Sequence, residues 1–160
     1  MDANAFDSCG FVNVDTATVD LLSAGYKLNE LTWNYEYAGD PNPKQQDSGN
    51  HPANAFVRQM TLSLVVKIEG VDPDDYWEKR AAFVEALLVA DGAQTDYPHG
   101  RLSVAPAGVA EMYADVVATA FGLPLTADTA AGSRMSVATV ALRADRGYWL
   151  ATSDDSVVRI

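Results

Sequence analysis

VRQMTLSLVVKIEGVDPDDYWEKRAAFVEALLVADG, residues Val57–Gly92, changes its hydrophobic period once, and that change decides the fold. Up to Glu69 the apolar side chains fall on every second residue, at Met60, Leu62, Leu64, Val66 and Ile68. Thr61, Ser63, Lys67 and Glu69 occupy most of the opposite face. A period of two is that of a strand with one face on a core. After Gly70 the spacing becomes helical, through Tyr76, Trp77, Arg80, Phe83, Val84, Leu87 and Leu88. The boundary residues agree. Asp72 is placed to cap, Pro73 fits the first helical position, and Asp74 and Asp75 meet the positive end of the helix dipole. Gly92 follows the last apolar residue, where a left-handed C-cap is usual. The stretch predicts a strand running straight into a helix, a unit that packs and carries no chemistry.

Working outward, Tyr26–Tyr37 reads as a strand with Leu31, Trp33, Tyr35 and Tyr37 on one face, since aromatic residues suit strands. Gly100–Ala105 alternates again through Leu102 and Val104, and Pro106 and Gly108 then make a turn. Val109–Phe121 fits two elements. Val109, Met112, Tyr113, Val116, Val117, Ala120 and Phe121 form a helix face, and the same residues fit a strand covered in part on both faces. Periodicity favours the helix. Met135–Trp149 reads as a strand with Met135, Val137, Thr139 and Ala141 on one side and Val140 and Leu142 on the other. Asp145-Arg146-Gly147 makes a turn within it, and Tyr148-Trp149-Leu150 resumes the strand.

Four segments remain. Residues 1–25 are either a short strand or an extended N-terminal arm, with Phe11, Val12, Val14, Val19, Leu21 and Leu22 as their apolar positions. Ala38–Ala55 carries three prolines, two glycines and three asparagines, which makes a long loop. It is either a contact arm that orders in an assembly or a surface insertion. Thr126–Ser133 is a polar connection, and Ser153–Ile160 is a polar tail with a final apolar patch. The sum is a single domain of the α+β class over residues 1–160. It is mainly β: an antiparallel β-sandwich flanked by one α-helix, with long loops and arms.

Composition narrows the function. Eleven Lys and Arg face 22 Asp and Glu in 160 residues, a net charge of -11, and no basic run exists. That balance disfavours a surface built to grip nucleic acid. Cys9 is the only cysteine, so no internal disulfide forms, and with no histidine near it a buried thiol is the expected role. MDANAFDSCG lacks the basic and apolar parts of a secretion signal, and no apolar run approaches the ~20 residues of a membrane span.

The chemistry-bearing residue types do not form a site. His51 and His99 are the only histidines, both in loop sequence, and one distant cysteine does not complete a zinc set. No Gly-x-Ser-x-Gly elbow accompanies them. The Asp72–Asp75 cluster lacks the glycine and distal Glu of a calcium loop, and capping accounts for it. Asp40, Asp47, Asp91, Asp96, Asp154 and Asp155 lie in loops and the tail, and nothing singles out two of them as an acid–base couple. No phosphate-binding glycine loop appears. Trp77 on the helix is expected in the core. Trp149 is expected either in the core or as an anchor for a partner subunit. No catalytic, cofactor-binding or metal residue is assigned, and no cofactor is implied.

The order of elements resembles a known family. A strand ending at VVKIEG, the helix DPDDYWEKRAAFVEALL, the short strand HGRLSV and the closing MSVATVALRADRGYWLA together resemble the N-terminal domain of siphophage distal tail proteins. The resemblance covers roughly Tyr26–Leu150 and is one of pattern and order, without an invariant motif. It implies a β-sandwich flanked by a helix and makes Val109–Phe121 a strand in a hairpin with Met135–Arg143. It also implies a virion protein of the phage tail: a six-fold homo-oligomeric ring linking the tail tube to the tip hub. The partners would be the tail tube, tip-hub and tape measure proteins, with DNA passing through unbound and no membrane contact. No stretch matches the carbohydrate-binding C-terminal domain of larger members, so the ring-forming part alone is expected. Ala38–Ala55, the N-terminal arm and Ser153–Ile160 are the expected contact segments. The alternatives are a tail tube or other tail-tip protein and, from another class, a small soluble ligand-binding or hydrolytic β domain.

Overall fold

The computed structural model describes residues 6–13, 18–38, 56–87, 100–124, 134–144, 146–158 and 160. In chain order its elements are β1 (Phe6–Asn13), β2 (Thr18–Asp20), β3 (Tyr26–Ala38), β4 (Phe56–Glu69), α1 (Pro73–Leu87), β5 (Gly100–Pro106), β6 (Met112–Gly122), β7 (Met135–Ala144), β8 (Trp149–Ala151) and β9 (Val157–Val158).

The period change at Gly70 is the β4–α1 joint. A Cβ at Gly70 would overlap the Tyr76 backbone, so the chain turns there only with glycine. The cap works in both directions. The Asp75 N–H donates to Asp72 Oδ1 at 2.9 Å, and the Val71 N–H donates to Asp75 Oδ2 at 2.7 Å. From that start α1 buries Tyr76, Phe83, Ala86 and Leu87. The expected C-cap at Gly92 lies outside the described residues.

Met60, Leu62, Leu64, Val66 and Ile68 are all buried, as the alternation predicts. β4 is central, paired antiparallel with β3 on one side and β7 on the other. The ladder then continues through β6, β5, β1 and β2, while β8 pairs with β6 and β9 with β8. β6 belongs to two sheets. Met112–Val116 pair with β5, and Val117–Gly122 pair with β7 past an irregularity between Ala118 and Ala120. A strand that changes sheets at a bulge makes the corner of a sandwich. A void of about 10 Å³ between the layers is bordered by Phe11, Leu102, Leu64, Val140 and Phe83, so both sheets and the helix share one core. It is too small for a ligand. The fold is a mainly β, antiparallel sandwich flanked by one helix among the described residues.

Two expectations are decided by the fold and a third holds. Val109–Phe121 is not the helix that its periodicity favours: β6 is a strand from Met112 and pairs with β7, the hairpin partner that the family pattern implied. Met112, Ala114 and Val116 face the core, and neighbouring strands take the backbone hydrogen bonds on both sides of Met112 and Tyr113. Tertiary pairing overrides a short local period here. The described part of residues 1–25 is no free arm. β1 and β2 lie within the sheet and bury Cys9, Phe11 and Val19, with Leu21 buried just after them, so the strand alternative holds. The closing strand is interrupted where the turn was expected, β7 ending at Ala144 and β8 beginning at Trp149. Its core-facing row is Ser136, Ala138, Val140, Leu142 and Ala144. Residues 39–55 and 125–133 are outside the described set. Part of the expected polar tail, Val157–Val158, is an edge strand.

Candidate functional site

Among the described residues, those best suited to chemistry do not converge. Cys9 is buried, and burial first, then the charge of Asp20, pushes its thiol up to about 12. Such a thiol is a packed side chain, not a nucleophile. Asp72 and Asp75 cap α1, and Lys79 beside Asp75 at 2.6 Å holds that carboxyl below its ordinary value. Asp154 accepts from the Ser156 N–H at 3.1 Å, and Asp155 accepts from the Tyr113 hydroxyl at 2.6 Å. His51, His99, Asp40, Asp47, Asp91 and Asp96 lie outside the described residues. Among the described residues no three of His, Cys, Asp and Glu gather as metal ligands.

The two tryptophans divide. Trp149 is in the core, edge-on to Trp33 with ring centroids 5.6 Å apart. Trp77 is not core, as the helix spacing led us to expect: it is 41% exposed. It lies edge-on to Tyr76, with the Arg80 guanidinium over its ring. Arg80 has a structural task. It donates to the Tyr76 hydroxyl at 3.0 Å and to the Leu123 carbonyl at 2.9 Å, tying α1 to the end of β6. Tyr76 in turn donates to Ser136 on β7 at 2.9 Å, so the buried hydroxyls are satisfied.

The described residues also present distinct surfaces. The 13-residue strand β3 pairs with β4 along one side, and its other edge has no partner among the described residues. Such an edge is a ready template for another chain. It is also guarded: Lys27, Glu30 and Glu36 project from it, and register shifts fall between Leu28 and Glu30 and between Glu36 and Tyr37. Bulges and charges of this kind block indiscriminate pairing. The outer face of β3, β4 and β7 is uncovered among the described residues, because α1 packs on the core side against β4, β1 and β2. Thr32, Ser63 and Thr61 line that face, with Met135 and Val137 exposed beside them. An isolated sandwich tolerates such a face, and an assembly uses it.

Where this sheet meets the start of α1 lies a depression of about 440 Å³. Lys27, Lys67, Lys79 and Arg134 line it, with Glu69 as the single acidic lining residue. It leaves little trace in the sequence, because its cations come from four separate segments that only strand register and the Gly70 joint bring together. No family model matches the chain, and no curated protein does.

Proposed function

We propose that the chain is a structural component of a bacteriophage tail, forming a distal tail ring of six copies between tail tube and tip hub. The observation that carries this reading is the unpartnered 13-residue edge of β3 beside an uncovered sheet face. The edge offers backbone groups and the face offers side chains to a neighbouring subunit, on a fold whose described residues gather no metal-ligand cluster. The element order that resembles the distal tail family supplies the kind of assembly. In this reading the chain is not an enzyme. Its partners are further copies, the tail tube, tip-hub and tape measure proteins, and DNA slides through the lumen without specific contact. A chain of net charge -11 suits such a lumen, since acidic walls repel phosphate.

Mass photometry of the purified chain across a concentration series tests this. The expected result is a concentration-dependent step from monomer to a closed oligomer of defined mass. Open-ended growth into tubes would favour a tail tube protein. A monomer at every concentration, stabilised against heat by small ligands, would move the protein to the class of ligand-binding β domains.

A further inference from the structure

The basic depression and an ordered acidic turn lie at opposite ends of the molecule, and we propose that they meet between copies, the turn of one seating in the depression of the next. This contact rests on the assembly reading above and specifies one surface that would make it.

The depression gathers four of the chain's 11 Lys and Arg. Lys27 and Lys67 are register partners on β3 and β4. Each is flanked by core residues, Leu28 for one and Val66 and Ile68 for the other, so both project from the outer face. Like charges directly opposite one another destabilise a sheet. Glu69 pairs with Lys67 at 2.7 Å, and Asp75 pairs with Lys79 at 2.6 Å. Among the described residues no carboxylate pairs with Lys27 or Arg134. Arg134 donates to the Val71 carbonyl at 2.7 Å, a neutral acceptor.

The turn after β8 has the opposite need. The Thr152 N–H donates to the Glu111 carbonyl at 3.0 Å, and the Thr152 hydroxyl donates to the Glu111 carboxylate at 3.1 Å. The Asp155 N–H closes the turn on the Ala151 carbonyl at 2.9 Å, and the Tyr113 hydroxyl fixes the Asp155 side chain at 2.6 Å. Asp155 takes a left-handed φ of 56°, which Asp adopts more readily than most residues. Glu111, Asp154 and Asp155 are exposed, and no ion pair with a cation forms among the described residues. Asp154 and Asp155 on this fixed turn, with Glu111 bonded to it from just before β6, bind with little ordering cost.

β6 sets the separation. Met112 at its start pairs with Ala151, beside the turn, while Gly122 at its end pairs with Thr139, on the side toward Arg134. Followed along its bent path β6 covers roughly 30 Å, and Arg134 lies farther on still, before the start of β7, so the turn and the depression of one copy do not meet. A second copy can. Because the two patches differ, the contact is heterologous, the type that closes into rings. Duplex DNA is the weaker occupant, because the chain's overall negative field opposes it.

The test is a charge swap read by mass photometry at near-physiological salt, with circular dichroism showing that each variant is folded. Lys27→Glu with Arg134→Glu should raise the concentration needed for assembly about tenfold or more. Adding Glu111→Lys and Asp154→Lys to the same chain should restore it. Assembly by the reversed chain equal to that of the unaltered one, or no recovery in the combined chain, would overturn this contact and leave the ring reading standing. A monomeric unaltered chain would overturn both. Duplex DNA binding that the reversal abolishes while assembly persists would assign the depression to nucleic acid instead.

Discussion

Cys9 shows how much a single residue's surroundings decide. The sequence offered a lone thiol without partners, and the fold puts it on β1 in the core, where burial raises its ionisation to about 12 from 9.0. The folded state therefore favours the neutral thiol, while the unfolded chain ionises first. Its contribution to stability is complete below about pH 9 and declines as pH rises from there toward 12. Urea midpoints measured from pH 8 to 11 should fall more steeply for the unaltered chain than for Cys9→Ala. Equal slopes would contradict the burial account. Other titrating groups such as Tyr26, raised by burial and by Asp75, contribute equally in both chains and cancel in the comparison. Gly70 was legible as a boundary, because the period changes there. Its close approach to Tyr76 was not, since that depends on how the helix folds back onto the strand.

Among the elements, the β4–α1 unit was legible because two independent signals agree: a period change and a cap. Asp72 and Asp75 hold the first turn reciprocally, so Asp72→Ala should lower unfolding free energy by about 1 kcal/mol in urea titration. A change below a few tenths would mean that packing of Tyr76 and Phe83 alone fixes the helix start. β6 was misread by periodicity because residues of both its faces are buried, Tyr113 as well as Met112, Ala114 and Val116, and short apolar repeats do not separate strand from helix. β3 conceals a similar effect. The register shift between Leu28 and Glu30 resets its alternation, so that Leu28 and Leu31 both face the core at an odd spacing. Trp77 was misplaced for a simpler reason. It adjoins Tyr76 on the helix, about 100° round the axis, and at this turn the core-facing direction is taken by Tyr76 while Trp77 points out under Arg80.

At the scale of the molecule, the class was readable and the surfaces were not. Alternating strands, one capped helix and an aromatic closing strand specify a mainly β sandwich. The free edge of β3, the basic depression and the acidic turn depend on register and on which strand ends the sheet, and composition averages these away. Charge illustrates it: a net of -11 conceals a pocket where cations gather and a far end whose carboxylates meet no cation among the described residues. The functional account treats the chain as an assembly module whose outer strand, uncovered face and opposed charged ends serve its neighbours. Electron cryomicroscopy of the purified chain at high concentration tests that claim most directly. The account predicts closed rings with a central channel, each subunit contacting the next through different surfaces. Fields of single globular particles with no ring classes, at concentrations where tail proteins meet during assembly, would contradict it.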